Sequence, residues 1–204
     1  ISEYLENQNM KSKFIKFKVL LVMCTLISVG NSTKSNAQTI NIIPYPQEVI
    51  LGSGVFTLTS KTSILSSSEN NTTAKVLQNQ IKKLIGSEIE IVESIKSKNG
   101  IISFKFDKNL AKEAYELIVG KENIEIIAST NTGWFYGVQS LFQLFSADAI
   151  QNDSSLKIPA VTIKDYPRFS WRAFMLDEAR YFKGSDQVKL LLDEMAALKM
   201  NVFH

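Results

Sequence analysis

Apolar positions between residues 38 and 165 come in short alternating bursts, interrupted by two longer stripes at helical spacing. Pro44-Tyr45-Pro46 reads as extended, because each proline keeps its predecessor out of the helical region. Gly52-Ser53-Gly54 punctuates a turn before a strand at 55–59. From 72 to 85, Ala74, Leu77, Ile81, Leu84 and Ile85 recur with a helical period, with Asn71 placed to cap the start and Gly86 to stop the end. Residues 88–93 and 101–106 read as strands; in the second, Ile102, Phe104 and Phe106 alternate with Ser103 and Lys105. Residues 115–119 and 123–128 suit a hairpin around Gly120-Lys121. A helix is predicted over 133–145, with Trp134, Val138, Leu141, Phe142 and Phe145 on one face, a stripe that core packing explains. The sum is an α+β domain, a mostly antiparallel sheet with helices on one face.

The rhythm changes near Asp165-Tyr166-Pro167. Residues 172–177 contain the continuous run Ala173-Phe174-Met175-Leu176, which suits a strand buried on both faces. A helix is predicted over 185–199, with Val188, Leu191, Leu192, Met195 and Leu198 inward. Asn201-Val202-Phe203-His204 opens another strand. One β-α-β unit cannot bury both faces of its sheet. Residues 38–165 therefore read as a complete small domain, and 166–204 as the opening of a truncated (β/α)8 TIM barrel.

Charge separates a third segment. The chain has 204 residues and a net charge of +3, yet residues 38–204 carry 18 basic and 18 acidic groups. No basic stripe is present, which argues against a nucleic-acid partner. Lys11, Lys13, Lys16 and Lys18 instead precede an apolar run at 19–29, followed by polar residues and Ser35-Asn36-Ala37. Residues 10–37 thus read as a secretory signal peptide starting at Met10, too short in its apolar run to span a bilayer. The expectation is an exported protein (periplasmic, cell-surface or extracellular) with no integral membrane span after cleavage. Cys24 lies inside the apolar run, so the mature chain has no cysteine. With His204 as the only histidine, a zinc site of the usual His/Cys kind is excluded, and no cofactor is expected.

Arg180 is the strongest chemical candidate. It lies three residues beyond Asp177, where the predicted strand ends. In a (β/α)8 barrel the segment after a strand's C-terminal end lines the active-site mouth. A guanidinium there offers a planar fork for two neighbouring sugar hydroxyls or a carboxylate. The same position suits a structural ion pair with Asp177 or Glu178, and the residues alone leave both readings open. Asp177 and Glu178 do not make a catalytic pair, since neighbours on a strand point to opposite faces; Asp177 is better placed to brace Arg172, Arg180 or an adjacent strand. Arg168 and Arg172 flank the domain junction and can stitch it together. No phosphate loop, nucleophile elbow or Cys/His cluster occurs.

The run Asp165-Tyr166-Pro167-Arg168-Phe169-Ser170-Trp171-Arg172-Ala173-Phe174-Met175-Leu176-Asp177-Glu178-Ala179-Arg180, with Leu198-Lys199-Met200-Asn201-Val202-Phe203-His204, resembles the entry to the catalytic barrel of glycoside hydrolase family 20, the β-N-acetylhexosaminidases. Pro44-Tyr45-Pro46 and Gly133-Trp134-Phe135-Tyr136-Gly137-Val138 resemble that family's non-catalytic N-terminal domain. The resemblance implies an exo-acting enzyme that removes terminal N-acetylglucosamine or N-acetylgalactosamine from glycoconjugates or chitin oligosaccharides. It implies substrate-assisted catalysis, in which the acetamido oxygen attacks the anomeric carbon, a Glu protonates the leaving group and an adjacent Asp orients the acetamido group. That Asp-Glu pair falls beyond His204, so no catalytic residue is expected within these 204 residues and the chain alone is expected to be inactive. The resemblance assigns Arg180 to the terminal sugar's hydroxyls. Tyr181 departs from the family's common His, and His204 matches the first His of a His-Trp-His motif. Two other readings remain open at this level: an exported glycan-binding module without catalysis, and another barrel glycosidase with a similar N-terminal domain.

Overall fold

Strands Glu48–Thr59 (β1), Ser63–Leu65 (β2), Glu90–Val92 (β3), Ile101–Phe106 (β4), Tyr115–Val119 (β5), Asn123–Ala128 (β6) and Ser155–Asp165 (β7) form one sheet in the order β1-β7-β5-β6-β4-β2-β3. The computed structural model describes residues 40–94, 100–145, 155–180, 182 and 184–204. The expected leader at 10–37 and Tyr181 lie outside them. From β1 through β7 and β5 to β6 the pairing is antiparallel; from β6 through β4 and β2 to β3 it is parallel. The longest ladder, β1 with β7, is antiparallel, whereas the parallel β4–β6 ladder pairs six residues against five in each of β5–β6 and β5–β7. The parallel flank is an addition: β4 returns beside β6 because β5 already occupies β6's other edge.

Helices Asn71–Ile85 (α1) and Asn131–Gln143 (α2) cover one face. Leu77 and Ile81 of α1 and Val138 and Leu141 of α2 share a core with Ile102, Leu117 and Ile126. Each such side chain is fully buried and contributes about 1.5–3 kcal/mol of apolar transfer. The opposite sheet face is polar and carries cross-strand ion pairs Lys105–Glu125 (2.6 Å) and Lys164–Glu116 (3.7 Å). α1 stops as predicted: Gly86 adopts the left-handed conformation and its N–H donates to the Lys82 carbonyl at 3.0 Å. The N-cap lies one residue earlier than predicted, at Asn70, whose side chain accepts from Ser66 Oγ (2.8 Å) and Ser67 N (2.9 Å). Thr130 caps α2 by accepting from Gly133 N at 3.2 Å.

Gly133 lets α2 approach the hairpin. A Cβ there would stand 2.5 Å from the Ala114 carbonyl oxygen and 2.8 Å from Ala128 Cβ. Because backbone cannot step aside as a side chain can, Gly133→Ala is expected to destabilise the protein by about 1–3 kcal/mol through overpacking. A urea midpoint equal to the parent's would contradict the close approach.

Residues Thr39–His204 cluster as one unit, so α2 has two neighbours. Its outer side meets the β-α-β unit made of Ala173–Phe174 (β8), Ser185–Ala197 (α3) and Val202–Phe203 (β9), in which β8 and β9 are parallel. The expected strand over 172–177 is shorter and exposed rather than buried on both faces. The described residues give β8 one strand neighbour, β9, and a strand needs flanking layers to be covered on both sides. On α3, Met195 is buried and Val188 and Leu191 are half-buried, whereas Leu192 and Leu198 are exposed. The apolar arc predicted for this helix is wider than the surface α2 offers it.

Candidate functional site

Two polar arrangements occupy opposite ends of the β-α-β unit. At the exit of β8, Asp177 folds the chain back on itself. Its Oδ1 accepts from the backbone N–H of Ala179 (3.0 Å) and Arg180 (3.2 Å), an Asx-type turn. Arg180 Nε donates to Asp177 Oδ2 at 2.5 Å. These bonds, the Arg180 side chain first, hold the Asp177 carboxyl below the usual carboxylate range. The Arg180 side chain is 89% exposed. Of the partners considered for Asp177, the structure selects Arg180. The pairing holds the guanidinium at Nε, and a planar fork of this kind suits neighbouring hydroxyls. His204, at the exit of the parallel strand, is exposed, and its N–H and carbonyl tie the two exits together: His204 N donates to the Phe174 carbonyl (2.9 Å) and Leu176 N to the His204 carbonyl (2.8 Å).

The entry end is dominated by Arg172, one of the two arginines expected to stitch the domain junction together. Arg172 uses all five guanidinium N–H groups: Nε to the Lys199 carbonyl (2.7 Å), Nη1 to the Phe169 carbonyl (2.7 Å) and Glu113 (3.2 Å), Nη2 to Tyr136 Oη (2.8 Å) and Glu113 (3.5 Å). It also lies over the Tyr136 ring, 5.5 Å from its centroid. Asn201 stitches the two strand entries, accepting from Arg172 N (2.9 Å) and donating to the Ser170 carbonyl (2.8 Å). Arg168 stacks on Phe169 and is not part of this network.

Lys199 is the least expected member. Only 6% exposed, it has a left-handed backbone, φ 57°, at the turn between α3 and β9. Its ammonium donates to Tyr115 Oη (2.8 Å) and Asp165 Oδ2 (2.9 Å), and Tyr115 Oη meets Ser140 Oγ at 2.5 Å. Burial lowers the Lys199 pKa, opposed by the Asp165 carboxylate. Burial raises the Tyr115 phenol far above its ordinary value, with the Asp165 charge adding to it. The missed sequence signal is a polar stripe on α2: Tyr136, Ser140 and Gln143, at i, i+4 and i+7, each engage the junction. Gln143 donates to the Ala197 carbonyl (3.1 Å) and to the Ile43 carbonyl (2.9 Å).

A pH consequence follows from Tyr115. Above pH 10 an unfolded tyrosine loses its proton while folded Tyr115 keeps it, so the folded state binds more protons and stability falls as pH rises. The fall approaches about 1.4 kcal/mol per pH unit for one such group. Tyr136, also raised by burial, adds the same sign. Lys199, lowered, has the opposite sign, confined to pH values below about 10.4, the ordinary lysine pKa. Urea midpoints measured between pH 10.5 and 11.5 are expected to decline less steeply in Tyr115→Phe than in the parent; parallel slopes would refute the buried phenol.

Among the described residues no cluster of three or more His, Cys, Asp or Glu side chains is placed to hold a metal, and no helix is long and apolar enough to cross a membrane.

The structure thus presents a small sheet-and-helix domain clasped onto a β-α-β unit with parallel strands. Comparison with known proteins makes that specific. Residues 39–166 match domain 2 of glycosyl hydrolase family 20, and residues 169–204 match the catalytic domain of the same family. The chain belongs to glycoside hydrolase family 20. It is 34% identical to a β-hexosaminidase of Porphyromonas gingivalis over 171 residues, covering 81% of this chain and 22% of that protein. It is 32% identical to the N,N'-diacetylchitobiase of Vibrio harveyi, covering 80% of this chain and 18% of that protein. Among solved structures, the β-N-acetylhexosaminidase of Bacteroides fragilis superposes with a TM-score of 0.70 at 29% identity, covering 80% of this chain and 32% of that one. A Vibrio harveyi exo-β-N-acetylglucosaminidase in complex with N-acetylglucosamine gives 0.71 at 28% identity, with 80% and 25% covered. The chain therefore spans about a fifth to a third of the length of these relatives.

Proposed function

We propose that this chain is the N-terminal part of an exported, exo-acting β-N-acetylhexosaminidase that removes terminal N-acetylglucosamine or N-acetylgalactosamine from glycoconjugates or chitin oligosaccharides by substrate-assisted catalysis. The observation that carries the reading is Arg180 at the exit of the catalytic domain's first strand, braced by Asp177 and open to solvent. In this scheme Arg180 grips two hydroxyls of the terminal sugar through its Nη fork. Asp177 is committed to Arg180 and to two backbone N–H groups, so it orients the guanidinium rather than transferring a proton. The proton-transferring Glu and its partner Asp are contributed by later strands of the barrel. Names of the matched relatives, hexosaminidase and chitobiase, support the substrate class, and the lysine-flanked apolar run supports export.

The test is to read the frame beyond the His204 codon and assay the complete product on a chromogenic β-N-acetylglucosaminide. Release of the chromophore, with no release by the 204-residue chain, is the expected result. A complete product inert on both the N-acetylglucosaminide and the N-acetylgalactosaminide would overturn it.

A further inference from the structure

The entry network and the exit site belong to one unbroken path, and we propose that Lys199 is a positioning residue for Arg180. This rests on the reading of Arg180 as the sugar-binding group. The path starts in the small domain, where Tyr115 and Asp165 hold the Lys199 ammonium. The Lys199 carbonyl receives Arg172 Nε, at the residue that opens β8. The Arg172 carbonyl accepts from Asn201 N (3.0 Å) and Val202 N (3.2 Å), which open β9. The Phe174 carbonyl takes His204 N, the His204 carbonyl takes Leu176 N, and the next residue is Asp177, which holds Arg180.

Every link is a direct bond or a chain neighbour, and the geometry fixes how it works. β8 and β9 are each two residues long, and the bonds between Arg172 and Asn201 and from His204 to Phe174 and Leu176 lock them together as one small unit, so the position of that unit against the small domain is set at its entry. Lys199 sets it there. Its backbone turns in the left-handed region, which costs a non-glycine residue energy unless something compensates. The compensation is the ammonium, which that turn delivers to Tyr115 Oη and Asp165 Oδ2 of the small domain. Release of the ammonium would free the α3–β9 turn, loosen the Lys199 carbonyl's hold on Arg172 and let the paired strands shift against the small domain, Asp177 with them. A displacement near 1 Å is enough to cost on the order of a hundredfold in a positioned site. The small domain, which holds no catalytic group among its described residues, would thereby control sugar binding at the far end of the strand.

The experiment is a double-mutant cycle on the complete gene product, with KM and kcat for the chromogenic N-acetylglucosaminide and the melting temperature read for each variant. Lys199→Met keeps the side-chain length and removes the charge. It is expected to raise KM roughly tenfold when Arg180 is present and less than about twofold in the Arg180→Ala background, because its effect runs through that side chain. An equal factor in both backgrounds, or a lowered melting temperature with KM unchanged, overturns the positioning role alone. If Arg180→Ala by itself leaves KM unchanged, the sugar-binding reading falls first and this inference with it, an outcome the single variant identifies. Should Lys199→Met fail to fold, Tyr115→Phe serves in the same cycle, since it removes one acceptor and keeps the ring under the ammonium, 4.9 Å away. It is expected to show the same background dependence with a smaller factor, and additivity there overturns the proposal equally.

Discussion

Arg180→Ala is expected to lower kcat/KM of the complete enzyme by about a hundredfold, the factor for losing two charge-assisted hydrogen bonds to the sugar, and to leave its melting temperature unchanged. The two halves of that expectation come from different observations. The side chain is 89% exposed and its partner, Asp177, is itself well solvated, so the pair adds little to folding. A guanidinium so exposed gains nothing from packing, and its value must lie in what it meets from solvent. Arg180→Lys should recover little of the loss, because an ammonium cannot span two hydroxyls as a planar fork does. Steady-state kinetics on the N-acetylglucosaminide, alongside thermal melts, decide the matter. Activity within a factor of three of the parent would remove Arg180 from the binding site.

Arg172→Met is expected to do the reverse, destabilising the protein by about 3–5 kcal/mol, the range for stripping one partner from a buried pair. Both members of the Arg172–Glu113 pair are mostly buried, at 17% and 22% exposure. Removal of the guanidinium takes its donors from the Tyr136 hydroxyl and two carbonyls and leaves the Glu113 carboxylate its long bond from Tyr136 Oη at 3.4 Å. Glu113→Gln should cost less, about 1–2 kcal/mol, because Arg172 keeps its other acceptors. Chemical denaturation of the complete protein measures both, and a loss below 1 kcal/mol for Arg172→Met would show that the junction is not held by this residue.

Elements with a clean period were legible in the sequence. α1 and the β5–β6 hairpin follow from apolar spacing because each has one dry face and one wet or polar face; β4 and α2 keep the predicted type although β4 is buried on both faces from Ile101 to Phe104, Phe106 is exposed, and α2 is buried nearly all round. The strand β7 was not legible, although it lies between β1 and β5 in the sheet. Pro159 interrupts it, and proline inside a run argues against a strand. The fold accommodates Pro159 where β7 has passed the end of β5, opposite Val55, beside the irregularity in the β1 ladder between Leu51 and Val55. The same irregularity shifts the alternation, so that Ala160 and Val161 are both buried. The Arg180–Asp177 pair was one of the two readings that position left open, since both sit just after a run of apolar strand residues, and the sugar-binding role came from the family resemblance. Lys199, Tyr115, Asp165 and Glu113 were not legible, because they are drawn from three separated segments that only the docked β-α-β unit brings together. Nor does an apolar-stripe reading of α2 register Tyr136, Ser140 and Gln143, which look like a solvated edge until a second layer covers them.

That covered edge matters for anyone building hybrid enzymes. Residues 166–171 look like a seam where accessory domains could be exchanged between relatives, but the join is keyed rather than hinged. A transplanted domain would have to bring a tyrosine, a serine and a glutamine at matching heights on its second helix, plus an acid before the crossing point. Without them the recipient barrel would present a lysine and an arginine to a surface with no sockets. Chimeras cut at this seam should therefore succeed in proportion to how faithfully the donor helix reproduces that three-toothed key, not to overall sequence identity.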